Sequence, residues 1–252
     1  GHPTLGRLCV TTDTPNVFIE KIKDRQCVSL EPYRVWEYYN QKCSIAQAFD
    51  IEINKQGIRD LSVPSFHLST EEEVFGYHLV EEGKKETKKD KLLVLQPFGR
   101  SSINQKGYVY DNGGRSLDIM DTIALVKKLK THFAVVLMSE HKLSGEDWKW
   151  AGIIKNADHF IGIDSVGQHL ATALDVTSTV VFGSTFPINT SYPNHPKVDI
   201  VDFDAEQREY SPIRIAMDDV TERNNDRCLK FKDKYKCIDA IVKSAKKATG
   251  IK

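Results

Sequence analysis

The sequence predicts an α/β fold built on a parallel, doubly wound sheet, and three observations predict it. Short aliphatic runs recur at Leu92–Leu95, Phe133–Met138, His159–Ile163, Val180–Phe182 and Val198–Val201. Segments with apolar residues at helical spacing separate most of them, and strands joined through helices imply right-handed crossovers and parallel pairing. Two of the runs end in small hydroxyl-bearing turns, Asp164-Ser165 before Gly167, and Gly183-Ser184-Thr185. Turns of that kind at the carboxyl ends of parallel strands line the usual binding crevice of such a sheet.

Each element has its own justification. Residues 1–80 are less regular, with aromatics at Tyr33, Trp36, Tyr38 and Tyr39 and a short amphipathic helix over Ser44–Ile51. Ser62-Val63-Pro64 and then Leu68-Ser69-Thr70-Glu71-Glu72-Glu73 announce a further helix, through a hydroxyl cap and a first turn of acidic residues. The charge run at Glu81–Lys91 reads as a linker or helix end. After Leu92–Leu95 the chain passes through Gln96-Pro97-Phe98-Gly99 into a long polar loop, Arg100 to Gly114. Leu117–Lys130 carries a helical stripe of Leu117, Met120, Ile123, Ala124, Val126 and Leu129. Ser144, with Asp147 three residues on, caps a helix whose apolar face is Trp148, Ala151, Ile154 and Ala157. His169–Leu174 has helical spacing, and Arg227–Ala248 is a basic amphipathic helix that packs at the periphery. Three regions follow from this pattern: 1–90, 91–205 as the sheet domain, and 206–252 as a tail with a packing helix.

Composition narrows the function. At 252 residues the chain holds one large domain or two small ones, with ample core. Lys and Arg number 35 and so do Asp and Glu, so there is no electrostatic case for nucleic acid. No apolar run approaches the ~20 residues that span a bilayer. The first residues show no basic segment followed by an apolar core, so no secretory signal is visible. Five cysteines without a C-x-x-C pair argue against a disulfide framework or a zinc site, and Cys228 and Cys237 read as buried on one helix face. A reducing cytoplasm fits best. No G-x-G-x-x-G follows any strand, which disfavours dinucleotide oxidoreduction.

The turn chemistry points to a phosphorylated ligand. Asp164 at a strand end can accept hydrogen bonds from sugar hydroxyls, and Ser165 with the N–H groups of Val166–Gln168 can take phosphate oxygens. His169, in the first helical turn, can donate to a diphosphate or simply cap and pack, and Gly183 and Thr185 line the opposite wall.

The stretch ADHFIGIDSVGQHLATALDVTSTVVFGSTFP resembles glycosyltransferase family nine, the ADP-heptose lipopolysaccharide heptosyltransferases and their relatives. The family's turn-helix falls on Asp164, Ser165, Gly167, His169 and Ala173, and its second strand end on Phe182, Gly183, Thr185 and Pro187. LLVLQPFGRSS and GGRSLDIMDTIALVKKLK are similar to the family's first donor-domain strand and the helix after it. One departure is Val166, which separates Ser165 from Gly167 where the family has glycine directly after the hydroxyl residue. The resemblance covers about residues 62–205 and implies a GT-B-like fold: residues 91–205 are the nucleotide-sugar donor domain, and 1–90 a partial or divergent acceptor-side domain. It implies Arg115 as the cation that neutralises the leaving diphosphate, with Arg100 and Lys106 as alternatives, and Glu140 as the carboxylate on the nucleotide ribose. The partners it implies are a nucleotide-diphosphate sugar and a glycan or lipid-linked acceptor, with no metal and no cofactor.

An inverting transfer of this kind needs a base for the acceptor hydroxyl. The family's motif for it is missing from residues 1–30, where Asp13 in a Thr-rich turn is the one candidate. Either the natural N-terminus is absent from this chain or the acceptor domain has diverged. Two other readings stay open: a non-catalytic nucleotide-sugar-binding module, and a GT-B-fold sugar-nucleotide epimerase.

Overall fold

The computed structural model describes residues 30–99, 102–105, 108–111, 114–138, 149–183, 185–203 and 231–251. Its centre is a five-stranded parallel sheet made of β1 (Leu92–Gln96), β4 (Ala134–Leu137), β5 (His159–Ile163), β6 (Ser178–Phe182) and β7 (Val198–Asp202). The spatial order is β4-β1-β5-β6-β7. The chain is α/β and doubly wound, as the alternation of strands and helices predicts. The three inner strands β1, β5 and β6 are buried along their whole length. That explains their near-continuous aliphatic sequence, since both faces of a parallel sheet are covered.

Alternate residues of β1 divide the core in two. Leu92 and Val94 face a cluster with Phe160, Trp150, Ile154 and Leu170, while Leu93 and Leu95 face one with Ile161, Leu125, Phe133 and Ile241. Among the described residues there are eight α-helices, and the first three precede the sheet. They are α1 (Trp36–Tyr39), after a 3-10 turn at Pro32–Arg34, then α2 (Ile45–Asn54) and α3 (Thr70–Thr87). Ser44 and Ser69 each close a capping box, with Gln47 and Glu72. The long charge run therefore belongs largely to α3. Its Lys84, with Lys91 just before β1, straddles the Asp158 carboxylate at 3.1 and 2.8 Å.

Helix α3 lies against α5 (Lys149–Asn156) on the first face of the sheet, with α6 (Val166–Ala173) beside them. Two glycines set the α3–α5 spacing. A Cβ on Gly76 would stand 2.0 Å from the Gly152 carbonyl oxygen, and one on Gly152 would stand 2.0 Å from that of Glu72. The second face is covered by α4 (Ile119–Leu129) and α8 (Lys234–Thr249), whose buried stripe is Cys237, Ile238, Ile241, Val242 and Ala245. The short α7 (Pro187–Thr190) follows β6.

Two local expectations change. The polar loop between β1 and α4 contains an antiparallel hairpin, β2 (Ser102–Gln105) with β3 (Tyr108–Asp111), paired from Ser102↔Asp111 to Gln105↔Tyr108. Tyr and Val supply strand propensity there, which the surrounding Ser, Asn and Gly hide. Helix α4 starts at Ile119 rather than Leu117, because Asp118 caps it by accepting from the Met120 and Asp121 N–H groups. Its buried row is Asp121, Thr122, Leu125 and Leu129, whereas Met120 and Ile123 are exposed. Asp121 tolerates burial because it accepts from the Phe231 N–H at 2.9 Å and pairs with Lys234 at 3.0 Å.

The N-terminal helices form a small cluster of their own around Val35, Tyr38, Cys43 and Ala48. Asn189 of α7 anchors it, donating from one buried amide to the Tyr38 and Cys43 carbonyls at 2.9 and 3.0 Å. Phe66 and Leu68 pack on the first-face core. No helix among the described residues is long and apolar enough to cross a membrane.

Candidate functional site

The strand order fixes where a crevice opens. From β1 the chain goes outward to β4, then crosses back to β5 on the other side of β1. Connections that leave two adjacent strands in opposite directions cannot cover the gap at their carboxyl ends, which is the switch-point location where such sheets take ligands. Gln96 ends β1 at this gap, Asp164 and Ser165 follow β5, and Gly183 and Thr185 follow β6.

Asp164 is the centre of the cluster and only 5% exposed. Thr185 donates its hydroxyl to Oδ2 at 2.7 Å, and the Gln168 amide donates to Oδ1 at 3.1 Å. The Arg115 guanidinium stands 3.9 Å from Oδ2. A carboxylate has about four acceptor sites, so Asp164 keeps capacity for a ligand hydroxyl after these contacts. The same Gln168 amide also donates to the Thr190 carbonyl at 3.1 Å, tying the end of α7 to the base of the site.

Arg115 is placed by its backbone. The buried Asp111 carboxylate at the end of β3 accepts from the N–H groups of Arg115 and Ser116, at 3.3 and 2.8 Å. Ser116 in turn accepts from the Gly99 N–H at 2.9 Å, which pins the turn after β1. Gly114 has φ of 59°, a left-handed conformation that glycine adopts without strain. The missed hairpin is therefore what delivers Arg115 to Asp164.

Ser165 is the N-cap of α6, but its side chain makes no cap hydrogen bond. Its Oγ accepts instead from Gln96 Nε2 at 3.2 Å, and Gln96 Oε1 accepts from the Gly167 N–H at 3.0 Å. The Gln168 N–H bonds back to the Ser165 carbonyl at 3.3 Å. Gly167 is there for close approach: a Cβ would lie 2.3 Å from Gln96 Oε1 and 2.4 Å from the Phe160 ring. Sequence reading passed over Gln96. Its signal was a polar side chain ending an otherwise aliphatic buried strand.

His169 Nδ1 lies 2.9 Å from the Tyr192 hydroxyl, with the two rings edge to face at 5.5 Å. Burial holds its pKa below the ordinary imidazole value, and Asp164 opposes that shift. Asp164 and Ser165 thus follow β5, Gly183 and Thr185 follow β6, Gly167 and His169 lie in α6, and Arg115 comes to Asp164 from beyond the hairpin. Asp13, Arg100, Lys106 and Glu140 lie outside the described residues, as do Ser144 and Cys228.

No protein-family model matches the chain, and no curated protein sequence does. Among solved structures, it is similar to the family-nine glycosyltransferase of Veillonella parvula DSM 2008, with 11% identity and a TM-score of 0.43 over 64% of this chain and 49% of that one. It is also similar to the dodecameric iron-containing heptosyltransferase TibC, solved in complex with ADP-D-β-D-heptose. There the identity is 14% and the TM-score 0.38, over 82% of this chain and 56% of that one. The chain thus spans about half the length of each of these structures.

Proposed function

We propose that the crevice binds a nucleotide-diphosphate sugar and that the chain contributes the donor side of a glycosyltransferase. The observation that carries this reading is the Asp164 carboxylate, held by Thr185 and Gln168 with Arg115 beside it, at the switch point of the sheet. Asp164 accepts from sugar hydroxyls. Arg115 and the first turn of α6 take phosphate oxygens, the guanidinium through two parallel hydrogen bonds and the helix through its positive end. Glu140 is the proposed ribose partner. As the diphosphate leaves, a general base takes the proton of the acceptor hydroxyl, and Asp13 is the first carboxylate to test in that role. The acceptor side falls to residues 1–90.

The test is a thermal-shift panel of nucleoside diphosphates and their sugars. A ligand that binds only the folded chain raises its melting temperature by mass action. Arg115→Ala is expected to weaken that binding by about 1.5–3 kcal/mol. No shift with any nucleotide would sink the reading. Turnover is read separately, as acceptor-dependent nucleotide release. With Asp13 as base, Asp13→Asn lowers that rate by ~10²–10⁴ and leaves donor affinity in place.

A further inference from the structure

Gln96 takes up the Gly167 N–H in the first turn of α6. It is 3% exposed at the end of β1, and its amide reaches across to α6, donating to Ser165 Oγ and accepting from the Gly167 N–H. A carboxylate of the same length could accept from both the Ser165 hydroxyl and the Gly167 N–H. It would also neutralise the positive end of α6 by itself. The chain uses the uncharged isostere, which leaves that potential for a ligand. What α6 still offers is shallower: the Val166 N–H, which donates to no described residue, and the Ser165 hydroxyl proton. Arg115 lies on the Asp164 side of the same turn. Beside Asp164, the Gln168 Oε1 atom is buried with no partner among the described residues, an acceptor for which the described chain supplies no donor.

We propose that Gln96 is a positioning residue of the donor site. Its neutral amide fills the inner N–H position of α6 and sets the ligand phosphate outward, on Val166 N–H and Ser165 Oγ, where Arg115 can grip it. This inference rests on the nucleotide-binding reading above and adds a seat and a charge requirement to it. A helix whose inner position is already bonded admits one phosphate group at its tip, and that phosphate is the one Arg115 reaches.

The experiment measures affinity for whichever nucleoside diphosphate gives the largest thermal shift, in wild type, Gln96→Glu and Gln96→Met. Gln96→Glu is expected to melt at or above the wild-type temperature without ligand. It should bind the nucleotide about tenfold more weakly at neutral pH. That loss should shrink as pH falls toward the carboxylate range, because the protonated side chain is again uncharged. Gln96→Met removes both hydrogen bonds without adding charge, and is expected to lose less affinity than Gln96→Glu. Equal losses in both variants, independent of pH, would reduce Gln96 to a packing residue and overturn the proposal. Unchanged affinity in Gln96→Glu, with Arg115→Ala still impaired, would also overturn it while leaving the nucleotide site intact. Absence of nucleotide binding in the wild type would instead remove the reading on which it rests.

Discussion

His159 is a buried residue whose protonation the fold controls. It is 1% exposed, with Nδ1 2.9 Å from the Thr177 hydroxyl and Nε2 2.8 Å from that of Thr179. Thr179 contacts Ser244 at 2.6 Å, and Ser244 donates to the Asp199 carboxylate. Each hydroxyl has one proton, which fixes the direction of the relay. Ser244 donates to Asp199, so Thr179 donates to Ser244, and the Nε2–H of a neutral imidazole donates to Thr179. Burial pushes the His159 pKa down from 6.5 to about 4, with Asp199 opposing the shift. The unfolded chain therefore binds the extra proton between pH 6.5 and 4, so this site's full stability is present above 6.5 and falls as pH drops through that window. The loss reaches about 3 kcal/mol at its lower end. Denaturant unfolding at pH 7 and pH 5, beside imidazole NMR, checks this. An imidazole that titrates near 6.5 in the folded state would contradict it. At this scale Asp164 and Ser165 were candidates because a polar turn after an aliphatic strand is a local pattern, whereas Arg115 entered only through the family resemblance. The sequence concealed Gln96 and His159, whose partners are remote in sequence.

At the scale of elements, the α3–α5 contact is the most exacting. Gly76→Ala improves helix propensity by about 1 kcal/mol, yet puts a methyl group where the Gly152 carbonyl stands. Overpacking of this kind typically costs about 1–3 kcal/mol, and here the obstacle is backbone that cannot rotate away. The expected net effect is destabilisation, read as a lower urea midpoint with an unchanged slope. An unchanged or raised midpoint would mean the two helices separate freely. The five strands were legible from their aliphatic runs, and α3 from its serine cap with glutamates behind it. The β2–β3 hairpin was not, since Ser, Asn and Gly around Ile103 and Val109 mask a period-two pattern. Nor was the buried face of α4. The apolar stripe suggested Met120 and Ile123, but Asp121 goes inside because residues beyond 230 reach it, which local periodicity cannot reveal.

For the molecule as a whole, the segment from the end of β6 through α7 joins distant parts. Thr185 bonds Asp164, the Thr190 carbonyl takes Gln168, and Asn189 holds the N-terminal helices. Asn189→Leu would take its donor from the Cys43 carbonyl, while the Tyr38 carbonyl keeps the Gln41 N–H, at a cost of about 1–3 kcal/mol. Hydrogen exchange is expected to speed up across residues 32–54 in that variant while β1 and β5 stay protected. Uniform loss of protection would show that the helical cluster and the sheet unfold as one unit. The position of β1 has a different consequence, one for the order in which the chain is made. Leu93 pairs with Val135 on one side and with His159 on the other, so the first strand of the sheet to leave the ribosome is also a central one. At ~5–20 residues per second, several seconds pass between the synthesis of β1 and that of β5. During that interval one edge of a strand with four consecutive aliphatic residues, Leu92–Leu95, has no partner, which is the condition under which nascent chains aggregate or recruit chaperones. Ribosome-bound chains arrested after β4 should therefore crosslink to chaperones more strongly than chains arrested after β6.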